Sequence, residues 1–439
     1  MTGRPGRAAR WIACLVALVA GAVPAAGRVG DAGWVTVWTT SPYAASGSFS
    51  DQTLRLIVAP HGAGSTLRVR LTNRYAPSPV TLAEVHVGTR AEGAALVPGS
   101  NRRVQFGGGR SVTIPAGSTV VSDPVRLHVR PFADLAVSIR IDGTTGPAPI
   151  HLLTSQTSYS TPSGSSARGD EEDGGAYTIT TQSSWFLSAI DVRAGRTEGA
   201  IGILGDSITD GIASTPDTDR RWPDVLQRRL LAEPRLARLA VLNAGISGNQ
   251  VTRDHPAFGI AAVDRIDADL LDLAGLRAVL VLEGINDIAG NTPPRATAAE
   301  IIAGYRQLIA SVHRRGLPVM ALTILPTAPL PGLPQYSDEQ ALQVRRDVND
   351  WIRSSGEFDA VFDTEAALAD ATGILVSAYD SGDGLHPNDA GMAAIAGAVD
   401  VDTLIGRVCR GGGRGNGLFA ARAPSACARP ARLPALGGR

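Results

Sequence analysis

"GILGDSITDG", Gly202–Gly211, is the stretch on which the reading of this chain turns. Gly202, Ile203 and Leu204 continue an apolar run begun at Ala200, and Gly205, Asp206 and Ser207 stop it abruptly. A buried strand that ends this way brings a single serine to the mouth of a sheet, with an acid before it and Thr209 two residues after. Such a serine is either a helix N-cap or a nucleophile. A nucleophile needs a base, a group that orients the base, and donors for the negative charge that develops.

Working outward, the pattern on the C-terminal side is strand–helix alternation. The runs "AIGILG", "AVLNAGI", "RAVLVLEG" and "LPVMALTIL" read as buried parallel strands. Helical patterns over Trp222–Leu231, Thr297–Arg315 and Ser337–Ser354 separate or follow them, and a closing helix is expected over Ala390–Val399. This predicts a doubly wound α/β sheet over residues 197–407. On the N-terminal side, residues 33–195 change grammar. "WVTVWTT", "TLRLIVAP", "STLRVRLTN", "VTLAEVHVG" and "DLAVSIRID" alternate with period two and are rich in β-branched residues, with Gly, Pro, Ser and Asn between them. No helical pattern interrupts them, so an all-β sandwich or jelly-roll domain is expected. In "LRVRL", Leu67, Val69 and Leu71 share one face and Arg68 and Arg70 the other. Trp34, Trp38 and Tyr43 read first as core aromatics, with a sugar-stacking platform as the alternative.

The composition narrows the function classes. The chain has 439 residues, of which 44% are hydrophobic and 19% charged, enough for two cores and not the mark of disorder. Lys plus Arg and Asp plus Glu are 41 each, a balance that leaves no electrostatic footprint for nucleic acid or an anionic membrane. Every one of the basic residues is arginine. Residues 1–26 read as a secretory signal: Arg4, Arg7 and Arg10 precede the apolar "WIACLVALVAGAV", and "VPAAG" offers small residues for cleavage. Secretion is therefore expected, without stable membrane insertion. Cys409 and Cys427 remain after cleavage and are candidates for a disulfide, with two free thiols as the alternative. Residues 408–439 read as a Gly/Arg/Pro-rich tail.

Four polar loops follow the strands of the α/β half: "GDSIT", "NAGISGNQ" (Asn243–Gln250), "EGIND" (Glu283–Asp287) and "DSGDGLHPND" (Asp380–Asp389). In an open α/β sheet these are the ligand-binding positions. Asp383 and His386 stand three residues apart, a spacing that lets a carboxylate reach the Nδ1 side of the ring while Nε2 faces Ser207. Gly248 offers a backbone N–H where a side chain would crowd a substrate, and Asn286 offers a side-chain amide. Asp206, Asp210, Asp287 and Asp380 are rival acids, none with the spacing of Asp383 to His386. There is no G-x-S-x-G elbow and no H-E-x-x-H pair, and no G-x-G-x-x-G follows the first strand of this half.

The blocks "GDSIT", "NAGISGN", "GIND" and "DGLHP", in that order, resemble the four blocks of the SGNH/GDSL hydrolase superfamily. The departure is Ile208 where the family name has Leu. The resemblance implies an SGNH-type doubly wound parallel sheet. It also implies Ser207 as nucleophile, His386 as base, Asp383 as its orienting acid, and Gly248 and Asn286 as oxyanion donors. No cofactor and no metal are implied. The leading β domain is similar to a branch of secreted acylhydrolases and arylesterases, some associated with xylan. The expected function is a monomeric, secreted serine esterase that removes short acyl groups, acetyl above all, from small-molecule or polysaccharide esters. The alternatives are a lipase-like or aryl-ester hydrolase on longer chains and a non-catalytic glycan-binding protein.

Overall fold

The computed structural model describes residues 31–165, 168–234, 236–330 and 332–411. The expected signal peptide, Cys427 and the end of the tail lie outside the described residues.

Among the described residues five parallel strands form the centre of the C-terminal half. They are β1 (Gly199–Gly205), β2 (Leu239–Gly245), β3 (Leu276–Leu282), β4 (Val319–Leu322) and β5 (Ala360–Phe362), in the order 2-1-3-4-5. Every residue of β1 is buried, which is why its sequence is continuously apolar and does not alternate. Among the described residues nine α-helices follow in chain order. They are α1 (Ser207–Asp210), α2 (Trp222–Ala232), α3 (Ala262–Ile266), α4 (Ile285–Ala289) and α5 (Ala298–Arg314), then α6 (Glu339–Ser354), α7 (Thr364–Leu368), α8 (Asp389–Ala398) and α9 (Val401–Gly411). Local chemistry sets their starts. Thr297 and Glu300 close a capping box on α5, the Asp338 carboxylate accepts from Ala341 N on α6, and the Asn388 side chain accepts from Ala390 N and Gly391 N on α8. The strand order reverses beside β1, with β2 on one side and β3 on the other, so the carboxyl ends of β1 and β3 flank the crevice where such sheets bind ligands.

The N-terminal half is rich in antiparallel strands. One sheet runs Trp34–Thr39, Leu187–Arg193, Gly64–Thr72, Val125–Val129, with Thr119–Val121 also paired to Gly64–Thr72. A second runs Ile179–Thr181, Ser158–Ser160, Ser50–Val58, Leu135–Thr144, Glu84–Thr89, Arg102–Val104. Leu67, Val69 and Leu71 point into the core as their alternation requires. The arginine face between them is buried too. Arg68 Nε and Arg70 Nε both donate to Asp191 Oδ2, at 2.7 and 2.8 Å, and the Arg68 guanidinium lies 4.6 Å from the centre of the Trp34 ring. Trp34, Trp38 and Tyr43 are all buried, so they are core aromatics and no exposed platform.

The two halves share one contiguous hydrophobic core. Thr36 N donates to Ala274 O at 2.9 Å, His61 Nδ1 lies 2.8 Å from Val241 O, and Arg74 pairs with Asp269. The last helix runs past residue 407, the expected end of this half. Leu404, Ile405 and Val408 form one apolar stripe that packs inward, so the helix continues to Gly411. Cys409, on that helix, is disulfide-bonded. Among the described residues no helix is long and apolar enough to cross a membrane.

Candidate active site

The arrest of β1 has a steric cause. A Cβ on Gly205 would stand 2.1 Å from Thr209 Oγ1 and 2.6 Å from Leu282 O, so only glycine lets α1 fold back against the strand ends. Asp206 is the N-cap of α1, its carboxylate accepting from Ile208 N at 3.0 Å, and Ser207 is the first helical residue. Thr209 fastens the short helix, since Trp222 Nε1 donates to its hydroxyl at 3.2 Å and Asn243 Nδ2 to its carbonyl at 2.7 Å.

The loop before α8 brings His386 to this serine. His386 Nε2 lies 2.9 Å from Ser207 Oγ, and Nδ1 lies 2.7 Å from Asp383 Oδ2. Partial burial pushes the Asp383 carboxyl up. The His386 ring and the N–H groups of His386 and Leu385, at 2.8 and 2.9 Å, more than offset this and hold it well below the usual carboxylate range. An ionised carboxylate only accepts, so the proton of a neutral His386 sits on Nδ1 and the lone pair of Nε2 faces the hydroxyl. Ser207 is 5% exposed, close enough to solvent for a substrate to reach and too enclosed for water to surround it.

Gly248 and Asn286 border the same crevice on the loops after β2 and β3. Gly248 has φ +79°, and a Cβ there would meet the Phe258 ring at 2.4 Å, so glycine is required twice over. Phe258 in turn stacks on His255, with ring centres 4.4 Å apart. The Asn286 amide is fixed on both sides. Its Oδ1 lies 2.9 Å from the Tyr336 hydroxyl and accepts from Asn291 Nδ2 at 3.0 Å, while its Nδ2 donates to Asn249 O at 2.9 Å. The second N–H of that amide has no partner among the described residues.

The rival acids have other work. Asp287 accepts from Val251 N, Thr252 N and Thr252 Oγ1; Asp380 accepts from Gly382 N and Gly384 N; Asp210 pairs with His151 and Ser247. Beneath the crevice lies an acid cluster that no motif of the chain announces. Burial pushes Asp206 up to about 7 and Asp287 up to about 6, and it carries Glu283 well above the ordinary range. Arg265, wholly buried on α3, is the cation among them. Its Nε donates to Asn249 Oδ1 at 2.8 Å, Nη1 to Ala244 O at 2.7 Å and Asp269 Oδ2 at 3.0 Å, and Nη2 to Gly205 O at 2.9 Å. One side chain thus ties the ends of β1 and β2 to the residue after Gly248. Among the described residues no group of three or more His, Cys, Asp or Glu side chains is placed to hold a metal ion.

The profile of the GDSL-like Lipase/Acylhydrolase family matches residues 203–394. A search of the curated proteins finds no match. Among solved structures, the chain is similar to an α/β hydrolase enzyme from the metagenome of Lake Arreo, Spain, with 23% identity over 46% of this chain and 93% of that one, at TM-score 0.36. The native aryl esterase of M. smegmatis is 21% identical over 46% and 95%, at TM-score 0.37. A carbohydrate acetylesterase from Sinorhizobium meliloti is 16% identical over 46% and 95%, at TM-score 0.38. Residues 203–394, which carry the serine, the histidine and every loop of the crevice, form a domain of the GDSL-like lipase/acylhydrolase family.

Proposed function

We propose that the protein is a serine ester hydrolase in which Ser207, His386 and Asp383 act as a triad. The observation that carries this reading is the position of His386, 2.9 Å from Ser207 Oγ on one side and 2.7 Å from Asp383 Oδ2 on the other. Ser207 Oγ attacks the ester carbonyl, a C–O bond forms, and the hydroxyl proton passes to His386 Nε2. The carbonyl electron pair moves onto oxygen, where the N–H groups of Gly248 and Ser207 and the Asn286 amide stabilise it. Collapse breaks the bond to the alcohol, which leaves with the proton held by His386. Water then repeats the sequence on the acyl-enzyme and releases the acid.

For the substrate we favour short acyl groups on carbohydrate. The Phe258 ring packed against Gly248, with His255 stacked on it, leaves a narrow wall beside the proposed oxyanion donors. Only 5% of the chain is aromatic and it holds three methionines, too few for a long acyl-binding stripe. The antiparallel half, which we read as a sandwich, would shape access to the crevice, and residues 1–26 would direct export. Hydrolysis of nitrophenyl acetate, butyrate, octanoate and palmitate, with Ser207→Ala as the blank, tests this. Ser207-dependent turnover that is fastest on acetate supports the reading and leads to acetylated xylan as the next substrate. A maximum at octanoate or longer replaces it with the lipase-like or aryl-ester alternative, and equal rates with and without Ser207 remove the hydrolase assignment.

A further inference from the structure

His151 ends the strand Ala148–His151 of the antiparallel half, and its ring is buried against the α/β half. The groups its nitrogens face are acceptors. Nδ1 lies 2.9 Å from Ser41 O, and Nε2 lies 2.8 Å from Leu153 O and 3.0 Å from Asp210 Oδ1. A carbonyl cannot donate, so each nitrogen must carry a proton and the ring is an imidazolium. The other titratable or charged groups about it are Tyr43, edge-on with ring centres 6.0 Å apart, and Arg221, which lines the same small cavity and is itself engaged by Asp224 at 2.8 Å. Burial alone would lower the basicity of His151; the charge of Asp210 and the three bonds outweigh it and leave the ring more basic than an ordinary histidine.

Asp210 passes the contact on. It is the last residue of α1, three positions after Ser207, and its second oxygen accepts from Ser247 Oγ at 2.6 Å and Ser247 N at 3.1 Å. Ser247 is bonded to Gly248. With its N–H and its hydroxyl both held, Ser247 cannot turn, and the peptide that bears the Gly248 N–H is fixed with it. Asn249 holds the other side of that glycine through Arg265.

We propose that His151 is a positioning residue of the active site, contributed by the antiparallel half, whose imidazolium fixes Asp210 and through it Ser247 and the Gly248 N–H. The proposal rests on the hydrolase reading above. It makes the antiparallel half part of the catalytic apparatus through a contact outside the residues 203–394 matched by the family.

The test uses the full chain, with kcat and KM on nitrophenyl acetate and thermal midpoints. In His151→Gln, kcat falls roughly 10- to 100-fold, the scale of an ångström-sized misplacement, with KM within about twofold of the parent. Ser247→Ala lowers kcat about fivefold, and adding it to His151→Gln costs less than about twofold more, because both variants break one link. Nitrogen-15 NMR of histidine-labelled protein at pH 8 shows a ring with both nitrogens protonated that is lost in folded His151→Gln, which separates it from His61, whose nitrogens also face acceptors in Val241 O and Asp224 Oδ1. A folded His151→Gln with parental kcat, losses that multiply in the double variant, or no doubly protonated ring at pH 8 that is lost with His151 overturns the proposal. The hydrolase reading stands or falls separately, on whether Ser207→Ala abolishes turnover by the parent.

Discussion

Arg265→Lys keeps the charge at the centre of the crevice and removes the fork. The guanidinium makes four bonds between 2.7 and 3.0 Å, to Asn249 Oδ1, Ala244 O, Asp269 Oδ2 and Gly205 O, and a longer fifth to Glu283 Oε2 at 3.5 Å. These acceptors lie on different strands and loops. A lysine ammonium is a point charge on a flexible stem and cannot reach all of them. Asp269 is the acceptor it keeps: burial would raise that carboxyl, but Arg74 and Arg265 together hold it low, so the opposite charge draws the ammonium there. At least two carbonyl or amide acceptors then lose their charged donor, although Gly205 O still accepts from Ile246 N at 2.9 Å. At about 1.5 kcal/mol for each lost bond to a charged group, the cost is about 3 kcal/mol. That lies just below the ~3–5 kcal/mol expected when a buried pair is broken outright, as in Arg265→Met. Because Gly205 O and Asn249 are among the groups released, kcat falls at least ~10-fold even where the variant is fully folded. Urea unfolding followed by tryptophan fluorescence at pH 7, alongside nitrophenyl acetate turnover at low temperature, measures both effects. An unfolding shift below about 0.5 kcal/mol together with parental kcat would falsify the reasoning, because it would mean the charge matters and the fork does not.

Two further predictions concern the crevice. Asn286→Ala removes a fixed amide, and kcat falls by about 10²–10³ with KM nearly unchanged, the loss of one oxyanion donor; a fall confined to KM would show that the amide binds substrate and does nothing more. Asp206→Asn stabilises the protein at alkaline pH. The folded carboxyl is raised to about 7 by burial, so its contribution to stability is complete below the unfolded value near ~4 and is lost as pH rises through 7. Asparagine does not titrate and still accepts from Ile208 N, so its advantage in urea midpoint is present at pH 8 and gone at pH 4; an advantage equal at both pH values would rule the account out.

How much of this was legible in the sequence follows from the range of each contact. The α/β sheet announced itself through runs buried on both faces, and α2, α5, α6 and α8 lie within one or two residues of the expected spans because their caps and periodicity are local signals. Ser207, Asp383 and His386 were singled out from short blocks, and the chain brings them together across 179 residues between Ser207 and His386. Arg265, Tyr336 and His151 were missed for the converse reason. Arg265 sits in a five-residue helix and looks like any solvated arginine until the strand ends close around it. His151 meets Asp210 across 59 positions, with nothing in either flank to mark the pair. The arginine face of "LRVRL" misleads in the same way, since its counter-ion Asp191 lies more than 120 positions on.

The pairing of Trp34–Thr39 with Leu187–Arg193 has a consequence for how the chain assembles. The first strand of the antiparallel half finds its neighbour only among the last, with registers such as Val35 against Val192, and Thr36 then bonds Ala274 beyond both. On a ribosome, Trp34 must wait for some 150 further residues before its partner strand exists, and for Ala274 before the surface it covers is complete. Closure of so large a loop is an entropic cost met late, after local hairpins have formed. Assembly of the antiparallel half therefore ends in step with the sheet that carries Ser207. A chain stalled before residue 187 would leave one edge of Gly64–Thr72 unpaired and Arg68 and Arg70 without Asp191, and an exposed strand edge invites pairing with another copy.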